Sequence, residues 1–350
     1  MRLYGVGIRF GGCHEQNGTI ALFTRFSHMI YAMSNNDLLV KVENLYRYYD
    51  DHCAVQDLSF ELRKGEILGF LGPNGAGKST TMQMLSGNLA PSAGRILIGS
   101  VDLLDEPKRA KRATGYLPEQ PPVYADLTVD EYLNYCARLN RVPRNKLVHA
   151  RQAAKERCGL KEVGHRLIGN LSKGYQQRVG IAQAIIHSPA VVILDEPTIG
   201  LDPIQIREIR ALITELGKEH GVILSTHILP EVQTICSRVQ IIHKGRLVFN
   251  DTLTGLTQRM QSTSLVLACR LAPEVKFLHA LPDVKSVETL DEHRLRITFT
   301  THANPAEAVA AEAVKRGWGL LELTPERKSL EQIFVDLTAA DEAVPEEQAA

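Results

Sequence analysis

The chain has 350 residues and equal numbers of basic and acidic side chains, 40 Lys+Arg against 40 Asp+Glu. At about 150 residues per domain the length predicts two domains, and the even charge excludes a whole-chain nucleic-acid footprint, which needs a basic excess. Phosphate binding stays open, because backbone N–H groups at a helix start hold anions without net charge. The six cysteines, Cys13, Cys53, Cys136, Cys158, Cys236 and Cys269, contain no CxxC pair. They read as reduced thiols rather than a disulfide framework or a metal site. A spanning helix needs about 18 apolar residues in a row. The nearest candidate, Ile20 to Met33, is broken by Thr24, Arg25, Ser27 and His28 and lacks the marks of a signal peptide. A cytosolic location is expected.

Residues 1–36 are rich in Gly, Asn and His with no sustained period, and are expected to be a disordered extension or to precede a true start at Met33. From Leu38 the pattern is regular. Leu38–Val42, Leu58–Leu62 and Ile96–Ile98 read as short strands. Ile67–Leu71 is a continuous apolar run, the mark of a strand buried on both faces. A helix carrying Met82 and Leu85 follows and stops near Gly87. Residues 126–187 read as mainly helical, with loops around Pro143 and Gly164–Asn170. Val191–Leu194 and Val222–Ser225 are two more buried strands, and between them Ile209, Leu212, Ile213 and Leu216 keep helical spacing. Strand alternating with helix predicts a parallel α/β sheet. After Asp251 the order becomes strand, helix, strand, strand, helix, strand from Ser264 to Thr324, a ferredoxin-like arrangement. A last amphipathic helix is expected over Ser329–Leu337, followed by an acidic tail over 339–350.

The chemistry concentrates in three segments. Gly72-Pro73-Asn74-Gly75-Ala76-Gly77-Lys78-Ser79-Thr80 is a P-loop in its required context, after a buried strand and before a helix. Glycines let the backbone wrap a phosphate, Lys78 adds a point charge at the β/γ-phosphates, and the Ser79 hydroxyl suits Mg²⁺. Thr80 is placed for the α-phosphate. Second, Val191–Leu194 ends in Asp195-Glu196. Alone this is a strand end with solvated acids. Beside a P-loop, Asp195 reads as the Mg²⁺ carboxylate and Glu196 as the general base for the attacking water. Third, Leu171-Ser172-Lys173-Gly174-Tyr175 opens a helix; Ser172 is an N-cap candidate and Gly174 leaves the helix start open to an anion.

That third segment, just before an Asp-Glu strand and downstream of a P-loop, resembles the ABC ATPase signature LSGGQ. Lys173 stands for a glycine and Tyr175 for the glutamine, a variant similar to that of ABC-2-type export ATPases. The resemblance covers about residues 37–250. It implies a P-loop ABC fold with a helical subdomain and an N-terminal antiparallel β subdomain. Residues 251–338 would form an accessory α+β domain, regulatory or dimer-stabilising. It further implies that Tyr49, with Tyr48 as the fallback, stacks on adenine, and that Gln120 touches Mg²⁺. Asp202 would lie in the D-loop and His227 would hold the γ-phosphate. The implied function is hydrolysis of ATP with Mg²⁺ by a homodimer. There the P-loop of one chain faces Ser172 and Gly174 of the other, and the pair drives a separate polytopic permease docked near Gln120 and residues 121–170. No nucleic acid is expected. The alternative is a soluble ABC ATPase of the ribosome-acting or DNA-repair kind, against which the single P-loop and the lack of heptads argue.

Overall fold

A computed structural model describes residues 37–259, 263–300 and 305–326. The expectations for residues 1–36, the helix over 329–337 and the tail lie outside them.

Alternation within the central strands explains the architecture. β7 (Val191–Asp195) and β8 (Gly221–Thr226) are buried throughout. Val191, Ile193 and Ile223 pack into one core, and Val192, Leu194, Val222 and Leu224 into a second on the opposite face. Successive side chains of a strand point to opposite faces, so a continuous apolar run is what a sheet covered on both sides requires. β3 (Ile67–Leu71) lies between β8 and β9 (Arg238–His243), and β6 (Thr114–Leu117) flanks β7; these five are parallel. β10 (Arg246–Thr252) closes the sheet antiparallel to β9, giving the order β10-β9-β3-β8-β7-β6.

One face carries a second, antiparallel sheet ordered β2-β1-β4-β5, from β1 (Leu38–Tyr49), β2 (His52–Arg63), β4 (Ala93–Ile98) and β5 (Val101–Asp102). It shares its core with α1 (Lys78–Leu85). Phe60 of β2 meets Phe70 of β3 edge-on at 5.0 Å, a geometry worth about 1 kcal/mol beyond burial. The β1–β2 hairpin turns at Asp50, φ +47°, a left-handed position that Asp tolerates.

The other face is covered by α6 (Pro203–Leu216), through Ile209, Leu212, Ile213 and Leu216, and by α7 (Leu229–Ile235). α2 (Pro107–Arg112) precedes β6, and the expected helical stretch resolves into α3 (Val129–Leu139), α4 (Leu147–Arg157) and α5 (Lys173–Ile185), joined by short 3₁₀ turns. Thr128 and Glu131 form a reciprocal capping box at the start of α3.

After α8 (Leu253–Arg259), β11 (Ser264–Cys269), β12 (Val284–Thr289), β13 (Arg294–Phe299) and β14 (Leu320–Pro325) make an antiparallel sheet ordered β12-β13-β11-β14. α9 (Val275–His279) and α10 (Ala306–Lys315) contribute Leu278 and Val309 to its core with Leu267, Ile297 and Trp318. The element order is the ferredoxin-like one. α9 is shorter than the expected Pro273–Ala280. The cysteines among the described residues, Cys53, Cys136, Cys158, Cys236 and Cys269, are all unpaired.

Candidate nucleotide site

The loop between β3 and α1 is shaped by what its glycines make possible. Gly77 sits at the N-cap of α1 with φ +104°, a conformation only glycine adopts without strain. A Cβ there would also lie 2.6 Å from the Ala54 carbonyl oxygen. Having no side chain, Gly77 supplies no cap, so the first N–H groups of α1 are left for an anion. Asn74, Gly75, Gly77, Lys78, Ser79 and Thr80 line a cavity of about 550 Å³, closed by Tyr49, His52, Glu119, Glu196 and His227 among others.

Behind the loop lies a compact charged centre. Lys78 is 5% exposed. Its Nζ donates to the carbonyls of Gly72 at 2.9 Å and Pro73 at 3.2 Å, and lies 3.4 Å from Glu196 Oε1. Ser79 Oγ donates to Asp195 Oδ1 at 3.3 Å, and Ser225 Oγ donates to the same oxygen. Burial pushes the Asp195 carboxyl above its ordinary range, partly offset by the Ser225 and Ser79 hydroxyls, with Glu196 and Glu119 adding to the rise. Glu196 takes φ +46°, a rare conformation for a non-glycine residue. Its N–H is held by Ser225 O and Ser225 Oγ, both at 3.1 Å. The turn aims its carboxylate away from that of Asp195 and toward His227, whose Nδ1 lies 3.0 Å from Glu196 Oε2.

Ser225 has a part the sequence reading missed, which treated it only as a strand end. A hydroxyl one strand over from an Asp-Glu pair is the available signal, because β7 and β8 pair Asp195 with Ser225.

The other expected residues separate into those at the cavity and those away from it. Tyr49 is in the wall, with the Arg47 guanidinium 4.7 Å from its ring centroid. Tyr48 stacks on Tyr46 instead, at 6.2 Å. Gly72 and Pro73 serve through their carbonyls, and Ala76 is buried in the core. Gln120 is exposed and stands outside the wall, where its neighbour Glu119 takes the place expected for it. β6 ends at Leu117, and the chain beyond it presents the carboxylate rather than the amide. Asp202 is spent as the cap of α6, accepting from Ile204 N at 3.0 Å and Gln205 N at 2.9 Å. Ser172 caps α5 through the Tyr175 N–H, and Gly174 is buried against the side chain of Gln205. Neither Ser172 nor Gly174 reaches the cavity of its own chain.

The residues present fit the groups the motif implies. A cavity of this size lies within the range of small-ligand sites, and a glycine cradle with one buried lysine suits a polyphosphate. Mg²⁺ takes a hydroxyl and one carboxylate beside phosphate oxygens, and Ser79 with Asp195 supply that pair. Among the described residues no cluster of three or more His, Cys, Asp or Glu is placed to hold a metal by itself, and phosphate oxygens and water would complete the shell.

The family model described as "ABC transporter" matches residues 55–199. The chain is 33% identical over 304 residues to the bacitracin transport ATP-binding protein BcrA of Bacillus licheniformis, covering 85% of this chain and 97% of that one. It is 31% identical over 306 residues to the linearmycin resistance ATP-binding protein LnrL of Bacillus subtilis, covering 86% and 98%. A solved structure of an ATP-binding subunit of an ABC transporter superposes with TM-score 0.58 at 32% identity, over 63% of this chain and 92% of the other. Relatives matched over nearly their whole length, together with a P-loop, an Asp-Glu strand end and a histidine converging on one cavity, place this chain in the family of ABC transporter ATP-binding proteins, ATPases whose hydrolysis is coupled to transport.

Proposed function

We propose that this chain is the ATP-hydrolysing subunit of an ABC-2-type exporter, acting at the cytoplasmic face of a membrane through a separate permease. The observation that carries the chemistry is Glu196, turned out of β7 to stand between Lys78 at 3.4 Å and His227 at 3.0 Å. With ATP in the cavity, Lys78 faces the β/γ-phosphates and His227 the γ-phosphate. Glu196 takes a proton from water as its oxygen bonds to the γ-phosphorus, and the bond to the β-bridging oxygen breaks to release ADP. Ser79 and Asp195 would hold Mg²⁺, which would supply charge neutralisation when bound. Tyr49 offers a stacking face to the base.

Two chains complete the site. α5 begins with a capped turn in which Ser172 and Lys173 are exposed and Gly174 is buried beside them, away from the phosphate loop of its own chain. A homodimer would set it across the nucleotide bound by the partner.

No helix among the described residues is long and apolar enough to cross a membrane, so transport needs another chain. We seat a cytosolic segment of the permease near Gln120 and residues 121–170. Residues 251–338 would serve dimer stability or coupling. The exporter assignment is supported by full-length similarity to BcrA and LnrL, whose names tie them to bacitracin transport and linearmycin resistance.

The test is capture from native membranes in mild detergent, with mass spectrometry of what accompanies the chain. A polytopic membrane protein is expected. Recovery of ribosomal proteins or DNA-repair factors with no membrane protein would overturn the transport reading.

A further inference from the structure

We propose that Glu231 is a positioning residue for hydrolysis, its buried carboxylate clamping together the two chain segments that carry Glu196 and His227. Glu231 lies in the first turn of α7 and is 1% exposed. A carboxylate this deep is costly unless it is hydrogen-bonded and paired, and here every partner is identifiable. Thr198 Oγ1 donates to Oε1 at 2.6 Å, and Thr226 Oγ1 donates to Oε2 at 2.9 Å. An Arg210 guanidinium nitrogen from α6 lies 3.3 Å from Oε1 and balances the charge.

The positions of the two threonines give the arrangement its meaning. Thr198 follows Glu196 by two residues and Thr226 immediately precedes His227, so one carboxylate holds the exit of β7 to the exit of β8. Both threonines are buried, and Thr226 Oγ1 also accepts from Ile228 N at 3.1 Å, fixing the chain on the far side of His227. Glu196 and His227 themselves meet through a single 3.0 Å contact, and the histidine side chain is half-exposed. The β7–β8 pairing and the Ser225 bonds to the Glu196 N–H fix the strand ends, and beyond those ends the Thr198–Glu231–Thr226 bridge holds the two segments together from behind. Small displacements of reacting groups carry large rate penalties, so the bridge affects turnover more than nucleotide affinity.

This inference rests on the reading of Glu196 and His227 as the hydrolytic pair, and the test separates the two. In the full chain, Thr198→Val keeps the side-chain shape and removes one hydroxyl; Thr198→Ser restores it. Glu231→Gln leaves one acceptor oxygen for two hydroxyls. We expect Thr198→Val and Glu231→Gln to lower kcat about tenfold with KM for ATP changed less than about twofold, the signature of lost positioning rather than lost binding. Thr198→Ser should recover kcat. If Glu231→Gln does not fold, the two Thr198 variants carry the test alone. Wild-type kcat in Thr198→Val, or kcat lost only in step with ATP binding and melting temperature, would overturn the clamp. Glu196→Gln measured alongside shows which idea has failed. If it too turns over normally, the hydrolytic reading falls; if it is slow while Thr198→Val is fast, only the clamp falls.

Discussion

Two helices in this chain start with a turn able to meet an anion, and they are furnished in opposite ways. α1 opens on Gly77, uncapped, with Lys78, Asp195 and Glu196 each no more than 5% exposed around it. α5 opens on Ser172, capped by its own hydroxyl and followed by an exposed lysine, with no acidic residue in its first turn. Burying charge is expensive, and the fold bears that cost at only one of the two starts. On the proposed reading the first is chemical machinery, with a base, a cation and oxygens for a metal held by neighbouring strands. The second offers a dipole, a hydroxyl and a cation to something outside the chain.

The start of α1 is most sensitive at Glu196. Glu196→Gln should lower turnover by about 10²–10⁴, as loss of a general base does, while ATP still binds; steady-state hydrolysis and a nucleotide-binding titration check this. Lys78→Ala removes the buried cation and should cut turnover at least about 100-fold, comparable to other lost preorganised electrostatic contacts, with weakened ATP binding in the same titration. At the second helix, Ser172→Asp keeps a good N-cap but sets a negative charge where a partner's phosphate would lie. Turnover should fall about tenfold or more with the melting temperature and the binding of ATP to single chains unchanged. A purely structural Ser172 predicts no loss.

Smaller effects sharpen the picture. Tyr49→Ala should weaken ATP by about 1 kcal/mol, the low end for base stacking, because the ring is 42% exposed. Asp195→Asn should raise the melting temperature at neutral pH while abolishing Mg²⁺-dependent turnover. Burial raises the Asp195 carboxyl above its ordinary 3.8, so the folded state holds the proton more tightly than the unfolded one. The stability linked to that proton is full below the ordinary value and is lost as pH climbs through the raised one. The advantage of the amide should therefore vanish as the pH drops below about 4.

Much of this was legible in the sequence, for identifiable reasons. Apolar runs such as Ile67–Leu71 and Val191–Leu194 announce a sheet buried on both faces, and the P-loop announces its own structural context. Strands β5, β6, β9 and β10 were not read. β6 and β9 include polar or small residues such as Gly115 and Gln240, which break the apolar signal although both residues are buried. At the site, local motifs picked out Lys78, Ser79, Asp195 and Glu196, side chains that the structure brings close together. Non-local contacts were hidden: Ser225 against Asp195, Glu119 in place of Gln120, and Glu231 behind both threonines. The first two depend on which way a side chain turns at a strand end and the third on where α7 lands, and Glu196 with its left-handed backbone shows how little sequence spacing alone says about that.

On the proposed reading the two helix starts work on the same nucleotide from different chains. Mixing Lys78→Ala chains with Ser172→Asp chains tests this through ATP turnover against total protein. Each variant alone should be slow, Ser172→Asp by about tenfold or more and Lys78→Ala by about 100-fold or more. A mixed dimer would contain one site with an intact phosphate loop from one chain and an intact α5 start from the other, so turnover should return on mixing and rise with dimer formation. Turnover that stays at the sum of the two slow variants, although mixed dimers form, would contradict it.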